Sequence, residues 1–164
     1  MIDRATLSKL FADHAAPLVL YARQWLDRGL AEDVVQEAYI RLMGQRKLPA
    51  NPRAWLYCTV RNGAISQFRA QSRRLRREQA TAPNETWFEA EAGQWIDGMA
   101  ARSAMLDLPE SQREIIALRL WGQLTLNEIA EVTGSSTSGV FDQYRAGLNA
   151  LRKAMGVTCK TEDG

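Results

Sequence analysis

The chain has 164 residues, 46% of them hydrophobic and 24% charged, with a formal net charge of +2. That is room for one medium domain or two small ones around an ordinary soluble core. No run approaches the roughly twenty apolar residues of a membrane span, and the charged start "MIDRATLSKLFADH" lacks the apolar core of a signal peptide, so a cytoplasmic protein without membrane insertion is expected.

In chain order, helix signals recur, and alternating strand patterns bounded by hairpin turns are missing. Pro17 opens the first helix in this reading, with Leu18, Tyr21, Ala22, Trp25 and Leu26 at helical spacing and Gly29 just past its end. The next, "AEDVVQEAYIRLMG", places Val34, Val35, Ala38, Tyr39 and Leu42 on one stripe and stops at Gly44. Opposite that stripe, Asp33, Gln36 and Glu37 stand at i, i+3 and i+4. Spacing alone makes them a solvated face; a docking face for a basic partner is the functional alternative. Nothing near them suggests a substrate pocket, so they do not read as an acid–base pair.

Asn51 and Pro52 supply the N-cap and first-turn proline of a long helix that runs into "RAQSRRLRR", with Gly63 its weak point. Arg61, Arg69, Arg73, Arg74, Arg76 and Arg77 lie on it with no carboxylate between Asn51 and Arg77. A solvated helix normally mixes signs. The helix dipole favours cations near a C-terminus, which accounts for two or three of these arginines and not for the set. The set points to a polyanion: neutralising about five phosphates gives a strong, salt-sensitive and sequence-independent grip. Trp55, Tyr57 and Phe68 share the segment. Core packing is the simpler reading for each; the alternative for one or two is stacking on unpaired bases, worth about 1–3 kcal/mol per base.

The composition then changes. From Glu78 to Ala101 there is no lysine or arginine, while Glu78, Glu85, Glu89, Glu91 and Asp97 are acidic and Pro83, Asn84 and Gly93 disfavour regular structure. Residues 79–94 read as a linker, with Trp87 and Phe88 available to pin it to a neighbouring surface and a helix resuming near Gln94. In "LPESQREIIALRLWG", Pro109 precedes a helix that offers Ile115, Ile116, Leu118 and Leu120 for burial and ends at Gly122. "TLNEIAEVTG" opens with a capping box of Thr125 and Glu128 and ends at Gly134. The following helix is capped by Ser136 and carries a stripe of Val140, Tyr144, Leu148 and Leu151. This is the helix-turn-helix layout, whose second helix normally enters a major groove, although purely structural trihelices share it.

Enzyme readings find little support. His14 is the single histidine, Cys58 and Cys159 have no metal-ligand spacing, and no Gly-rich phosphate loop occurs. No catalytic residue, metal or cofactor is expected. Cys58, in "AWLYCTV", reads as a buried thiol and Cys159 as an exposed one.

These motifs carry a resemblance. "AEDVVQEAYIRL" followed by "RAWLYCTVRNGAISQFRAQSRR" resembles the second conserved region of the sigma-70 family, and "LPESQREIIALRLWGQLTLNEIAEVTG" with the helix after it resembles the fourth. From about residue 7 to residue 155 the chain is similar to the small extracytoplasmic function (ECF) sigma factors. The resemblance implies an all-α protein of two small helical domains. Residues 1–78 would form a region 2-like bundle, 79–94 a flexible acidic linker, 95–156 a region 4-like helix-turn-helix domain and 157–164 a C-terminal tail. It implies a non-enzymatic factor that binds core RNA polymerase, directs promoter recognition and helps melt the minus-ten element.

It also implies partners and roles. Asp33, Gln36 and Glu37 would dock on the coiled coil of the polymerase β′ subunit. Arg61, Asn62 and the basic residues Arg69, Arg73, Arg74, Arg76 and Arg77 would contact minus-ten DNA. The loop "GQRKLPANP", with Arg46 and Lys47, corresponds to one that holds a flipped base, and Trp55 belongs to the same surface. Ser136, Thr137, Ser138, Phe141, Asp142, Gln143 and Arg145 would face minus-thirty-five DNA, and the apolar face of that domain the polymerase β flap. Promoter DNA and an anti-sigma factor complete the partners.

One departure stands out. Family members usually begin the recognition helix with a "TVKSR"-like run, whereas this chain has Gly139, Val140, Phe141, Asp142 and Gln143. Asp142 repels phosphate, and Gly139 and Gly147 each weaken a helix by about 1 kcal/mol against alanine. Weak or unusual minus-thirty-five recognition is therefore expected, with binding carried by the region 2-like domain. Two alternatives stay open: a sigma-like module that titrates core polymerase or an anti-sigma factor, and an ordinary helix-turn-helix repressor.

Overall fold

Side-chain caps set most of the helix starts. Asp3 accepts the Thr6 amide at 2.8 Å, Asp27 that of Leu30 at 2.9 Å, Asn51 that of Ala54 at 3.0 Å and Ser136 that of Gly139 at 3.1 Å. The computed structural model describes residues 2–78 and 98–156. Among them run α1 (Arg4–Ala22), α2 (Arg28–Met43), α3 (Pro52–Glu78), α4 (Gly98–Asp107), α5 (Glu110–Leu120), α6 (Leu126–Thr133) and α7 (Thr137–Ala154), with no strand. The expected linker at 79–94, the tail at 157–164, Trp87, Phe88, Cys159 and a helix start near Gln94 lie outside the described residues.

Two expected boundaries move. The first helix starts at Arg4, not Pro17, because the Asp3–Thr6 cap opens it a full three turns earlier. Pro17 sits inside α1, where the missing N–H removes one ladder bond. The helix continues because its flanking residues Leu10, Ala15, Leu18 and Val19 are packed into the core. Gly29 is not past a helix end; it lies in the first turn of α2, which the Asp27 cap opens. A cap outranks a glycine as punctuation.

The capping box holds as expected, with Glu128 N–H on Thr125 Oγ1 at 3.2 Å and Thr125 N–H on Glu128 Oε2 at 2.7 Å. Gly134, at φ +68°, supplies the left-handed C-cap of α6 that only glycine adopts cheaply.

Helices α1, α2 and α3 pack on one another, and α5, α6 and α7 do the same, with α4 against α7. The two groups are not apart. α6 lies along α3, α5 meets α1, and one hydrophobic core runs from Leu18, Leu42, Leu56 and Val60 through to Leu118, Leu124, Ile129 and Val140. Tyr21 packs edge-on against Tyr57, ring centroids 5.3 Å apart, within this shared core.

The glycine weak points turn out to be close approaches. A Cβ on Gly63 would stand 2.9 Å from Val34 Cγ1, so this residue lets α2 and α3 close. A Cβ on Gly147 would stand 2.7 Å from Ile116 Cδ1 and 3.3 Å from Gln112 Cβ, between α7 and α5. Gly147→Val is therefore expected to destabilise the chain by about 1–3 kcal/mol, overpacking outweighing the gain in helix propensity. Chemical denaturation reads this out; a variant as stable as the parent would contradict the packing.

Two burial expectations need correction. Leu120 is 53% exposed; α5 turns it outward and buries Glu114 on its inner face instead. Cys58 is half-buried, its sulfur 3.8 Å from the Asn62 amide, so the thiol is not sealed in the core.

Candidate functional site

Three surfaces gather the residues singled out above. The first is the outer face of α2. Val34, Val35 and Ala38 point into the core, which leaves Asp33, Gln36 and Glu37 exposed together. Glu37 accepts from Arg41 Nε at 2.9 Å in an exposed i, i+4 pair. Beside this polar trio, α1 and α2 enclose a trough of about 520 Å³ lined by Leu7, Phe11, Gln36, Tyr39, Ile40 and Met43 among others. Phe11, Ile40 and Met43 are each about half exposed. The face thus offers carboxylates next to an apolar channel, suited to a basic, amphipathic helical partner. The sequence reading missed the trough, because Phe11 belongs to a stretch of α1 it did not assign.

The second surface is α3. Its buried residues end at Ala64, so the C-terminal half presents side chains to solvent. Arg61, Asn62, Ile65, Ser66, Arg69 and Arg73 line a polar groove of about 450 Å³. Arg76 extends the line, since Arg69, Arg73 and Arg76 stand at i, i+4 and i+7. Arg69, Arg73, Arg76 and Arg77 are exposed. Arg74 differs: its Nε bonds Glu78 at 2.9 Å, and this hydrogen bond followed by the carboxylate's charge holds its guanidinium above the usual value. Arg46 and Lys47 are exposed in the segment leading into α3. Of the aromatics, Tyr57 is fully buried, Phe68 is 46% exposed, and Trp55 is half-buried against the core.

Arg61 stands apart from the other arginines. Its Nε donates to Glu114 Oε1 and its Nη2 to Oε2 at 3.4 Å, and only 23% of its side chain is exposed. Burial alone would lower its pKa, but the hydrogen bond and charge of Glu114 outweigh that and hold it above the usual value. Glu114 also accepts from the Tyr21 hydroxyl at 2.7 Å. Burial first, then the Glu114 charge and hydrogen bond, push that phenol far above its ordinary range.

Further polar bonds join the two halves. Trp25 Nε1 donates to Glu110 at 2.8 Å. The Glu128 carboxylate accepts from Asn51 and, at 3.5 Å, from Arg53. Burial would raise the Glu128 pKa, but the Thr125 amide, Asn51 and Arg53 prevail and lower it. One carboxylate therefore ties the start of α6 to the start of α3.

The third surface is the start of α7, where Ser136, Thr137, Ser138, Phe141, Asp142, Gln143 and Arg145 are all exposed. Thr137 donates to Asn127 Oδ1 at 3.0 Å and so fixes α7 against α6. Val140 is buried and Tyr144 half-buried on the opposite face.

The sequence reading missed Glu114. A signal was present, since Glu114 stands at i of an i+3, i+4, i+7 series with Ala117, Leu118 and Trp121. Its partner is 53 residues away, which no helical spacing reveals.

Known proteins give the frame. The family model described as Sigma-70 region 2 matches residues 10–74, and that described as Sigma-70, region 4 matches residues 104–153. The ECF RNA polymerase sigma factor SigK of Mycobacterium ulcerans is 27% identical over 89% of this chain and 84% of its own length. SigK of Mycolicibacterium vanbaalenii is 25% identical over 84% of this chain and 75% of its own. The fold is shared with the sigma factor RpoE of Bartonella quintana, solved with the anti-sigma factor NepR, at TM-score 0.78 and 19% identity over 94% of this chain and 99% of that one. It is also shared with CnrH, solved with the cytosolic domain of CnrY, at TM-score 0.62 and 21% identity over 94% of this chain and 90% of that one. Among the described residues no helix is long and apolar enough to cross a membrane.

Proposed function

The chain belongs to the sigma-70 family, as an RNA polymerase sigma factor of the ECF type, and on that premise we propose how its three surfaces divide the work. Asp33, Gln36 and Glu37, with the trough of Phe11, Ile40 and Met43 beside them, dock on the β′ coiled coil of core polymerase. The domain boundaries follow the sequence reading, with residues 1–78 engaging core and the minus-ten element and 95–156 engaging the β flap. Asn62, Arg69, Arg73, Arg76 and Arg77 hold the backbone of the opened minus-ten strand, with Arg74 a weaker contributor. Arg46, Lys47, Trp55 and the exposed Phe68 meet its unstacked bases. Arg61 joins them once it is released from Glu114.

The α7 face from Ser136 to Arg145 approaches minus-thirty-five DNA but reads it weakly. Asp142 can accept from a cytosine amino group and Gln143 can pair with adenine, while Arg145 is the single cation among the seven. The protein performs no covalent chemistry of its own. An anti-sigma factor is a further partner, a reading supported by the complex with the anti-sigma factor NepR in which the structural relative RpoE was solved.

The observation that carries the reading is the exposed arginine line of α3, free of carboxylates up to Glu78. Run-off transcription with purified core polymerase tests it: the chain is expected to direct initiation from defined start sites. A chain that binds core yet never initiates would leave the second reading, a module that titrates core polymerase or an anti-sigma factor, which the atypical start of α7 favours.

A further inference from the structure

Among the described residues Glu114 is the buried charged side chain, 5% exposed, and it is paired with the opposite half of the molecule. We propose that Glu114 is an interdomain latch: by holding the Arg61 guanidinium it keeps the two halves closed and withholds from DNA one arginine of the α3 groove. The DNA half of this statement rests on the proposed function; the latch itself does not.

The geometry supplies the competition. Arg61 directs Nε and Nη2 to the two Glu114 oxygens, a forked arrangement that suits a phosphate equally well. The same side chain lines the groove with Asn62, Arg69 and Arg73. In the closed form the guanidinium at that end of the groove is already held by a buried carboxylate, so an approaching phosphate meets a neutralised cation. Tyr21 adds a third bond to Glu114 at 2.7 Å and fixes the carboxylate in place.

A pair of this kind suits a switch. The attraction of such a pair repays its desolvation only where further hydrogen bonds satisfy the ions, as Arg61 and Tyr21 together do for Glu114, and removal of one partner strands the other and is strongly unfavourable. The loss of Glu114 therefore acts on the closed form alone. Opening separates Glu114 from Arg61 and Tyr21, so an open form does not feel the substitution.

The test uses the full chain, with small-angle X-ray scattering for closure and fluorescence anisotropy for binding to a labelled single-stranded oligonucleotide. Glu114→Gln is expected to raise the open-to-closed ratio by at least about tenfold, with a larger radius of gyration and tighter oligonucleotide binding. Exchanging the two residues, Arg61→Glu with Glu114→Arg, is expected to restore the compact form but not the binding. Unchanged scattering and unchanged binding in Glu114→Gln would overturn the latch. Opening without any gain in binding would uphold the latch and remove Arg61 from the DNA-contacting set. Should Glu114→Gln lose its helical circular dichroism, Tyr21→Phe takes its place, keeping the ion pair and losing one bond. Opening there supports the latch, and Arg61→Gln, which removes the pair from its more exposed side, decides it: unchanged scattering in Arg61→Gln overturns the latch.

Discussion

Replacing Asp33 and Glu37 together by lysine is expected to lower affinity for core RNA polymerase by at least about a hundredfold, with the fold intact. Placing like charges across an interface costs several kcal/mol, and each 1.4 kcal/mol is tenfold in affinity. Both positions are exposed on α2, and the stripe that holds the helix to α1 and α3 is Val34, Val35, Ala38 and Leu42 on its other side. Asp33→Lys touches none of that stripe. Glu37→Lys exchanges an exposed pair with Arg41, whose side chains are 60% and 54% exposed, for an i, i+4 repulsion of about 0.2–0.5 kcal/mol. Loss of the pair and gain of the repulsion together come to about 0.4–1 kcal/mol, which in a chain of this size moves the melting temperature by about 4 °C or less. Co-purification with core polymerase and a thermal melt by circular dichroism check both halves; a doubly substituted chain that still co-purifies in full would sink the docking role.

What the sequence makes legible is what local chemistry decides. The caps at Asn51, Thr125 and Ser136, the stops at Gly44 and Gly134, and the exposed trio on α2 all rest on contacts within four residues. They hold in the structure. The first helix shows the limit even there: Pro17 is a strong start signal, but Asp3 is a stronger one and lies far enough upstream to be passed over. Leu120 and Glu114 show a second limit. Hydrophobicity alone assigns Leu120 to the core and Glu114 to water. The structure does the reverse because α5 meets a second bundle whose Tyr21 and Arg61 make a buried carboxylate tolerable.

The arrangement of the two halves lies beyond any spacing argument. Each half carries its own periodic stripe, and spacing within a stripe does not say which helix of the other half will cover it. The polar contacts that join them, Glu114 with Arg61 and Tyr21, Glu128 with Asn51 and Arg53, and Glu110 with Trp25, span 53 to 93 residues. Each is made by a side chain that looks like ordinary surface polarity in the sequence. Glu128 is the clearest case: its capping-box role is complete within α6, and its second role appears only when α3 is placed beside it.

The arginines of α3 give the second large effect. Replacing Arg73, Arg74, Arg76 and Arg77 by alanine is expected to weaken promoter binding and to flatten its dependence on salt. Each released phosphate contact removes about 0.7 from the logarithmic salt slope on a single strand and about 0.9 on a duplex. Four independent contacts would remove about 3 to 4. Arg74, however, already shares its charge with Glu78 at 2.9 Å, so the expected loss is nearer about 2 to 3, the contribution of three. The same geometry orders the single substitutions: Arg73→Ala, in the groove with Asn62 and Arg69, should flatten the slope more than Arg74→Ala. Folding should be little affected, because the buried residues of α3 end at Ala64, nine positions before the first of the four. The slope is measured by titrating a labelled promoter fragment bound to the reconstituted holoenzyme across a series of salt concentrations. If the fourfold variant keeps the parent slope, phosphate contact by this stretch of α3 is excluded. If Arg74→Ala equals Arg73→Ala, the division of the arginines into a free line and a paired one is wrong.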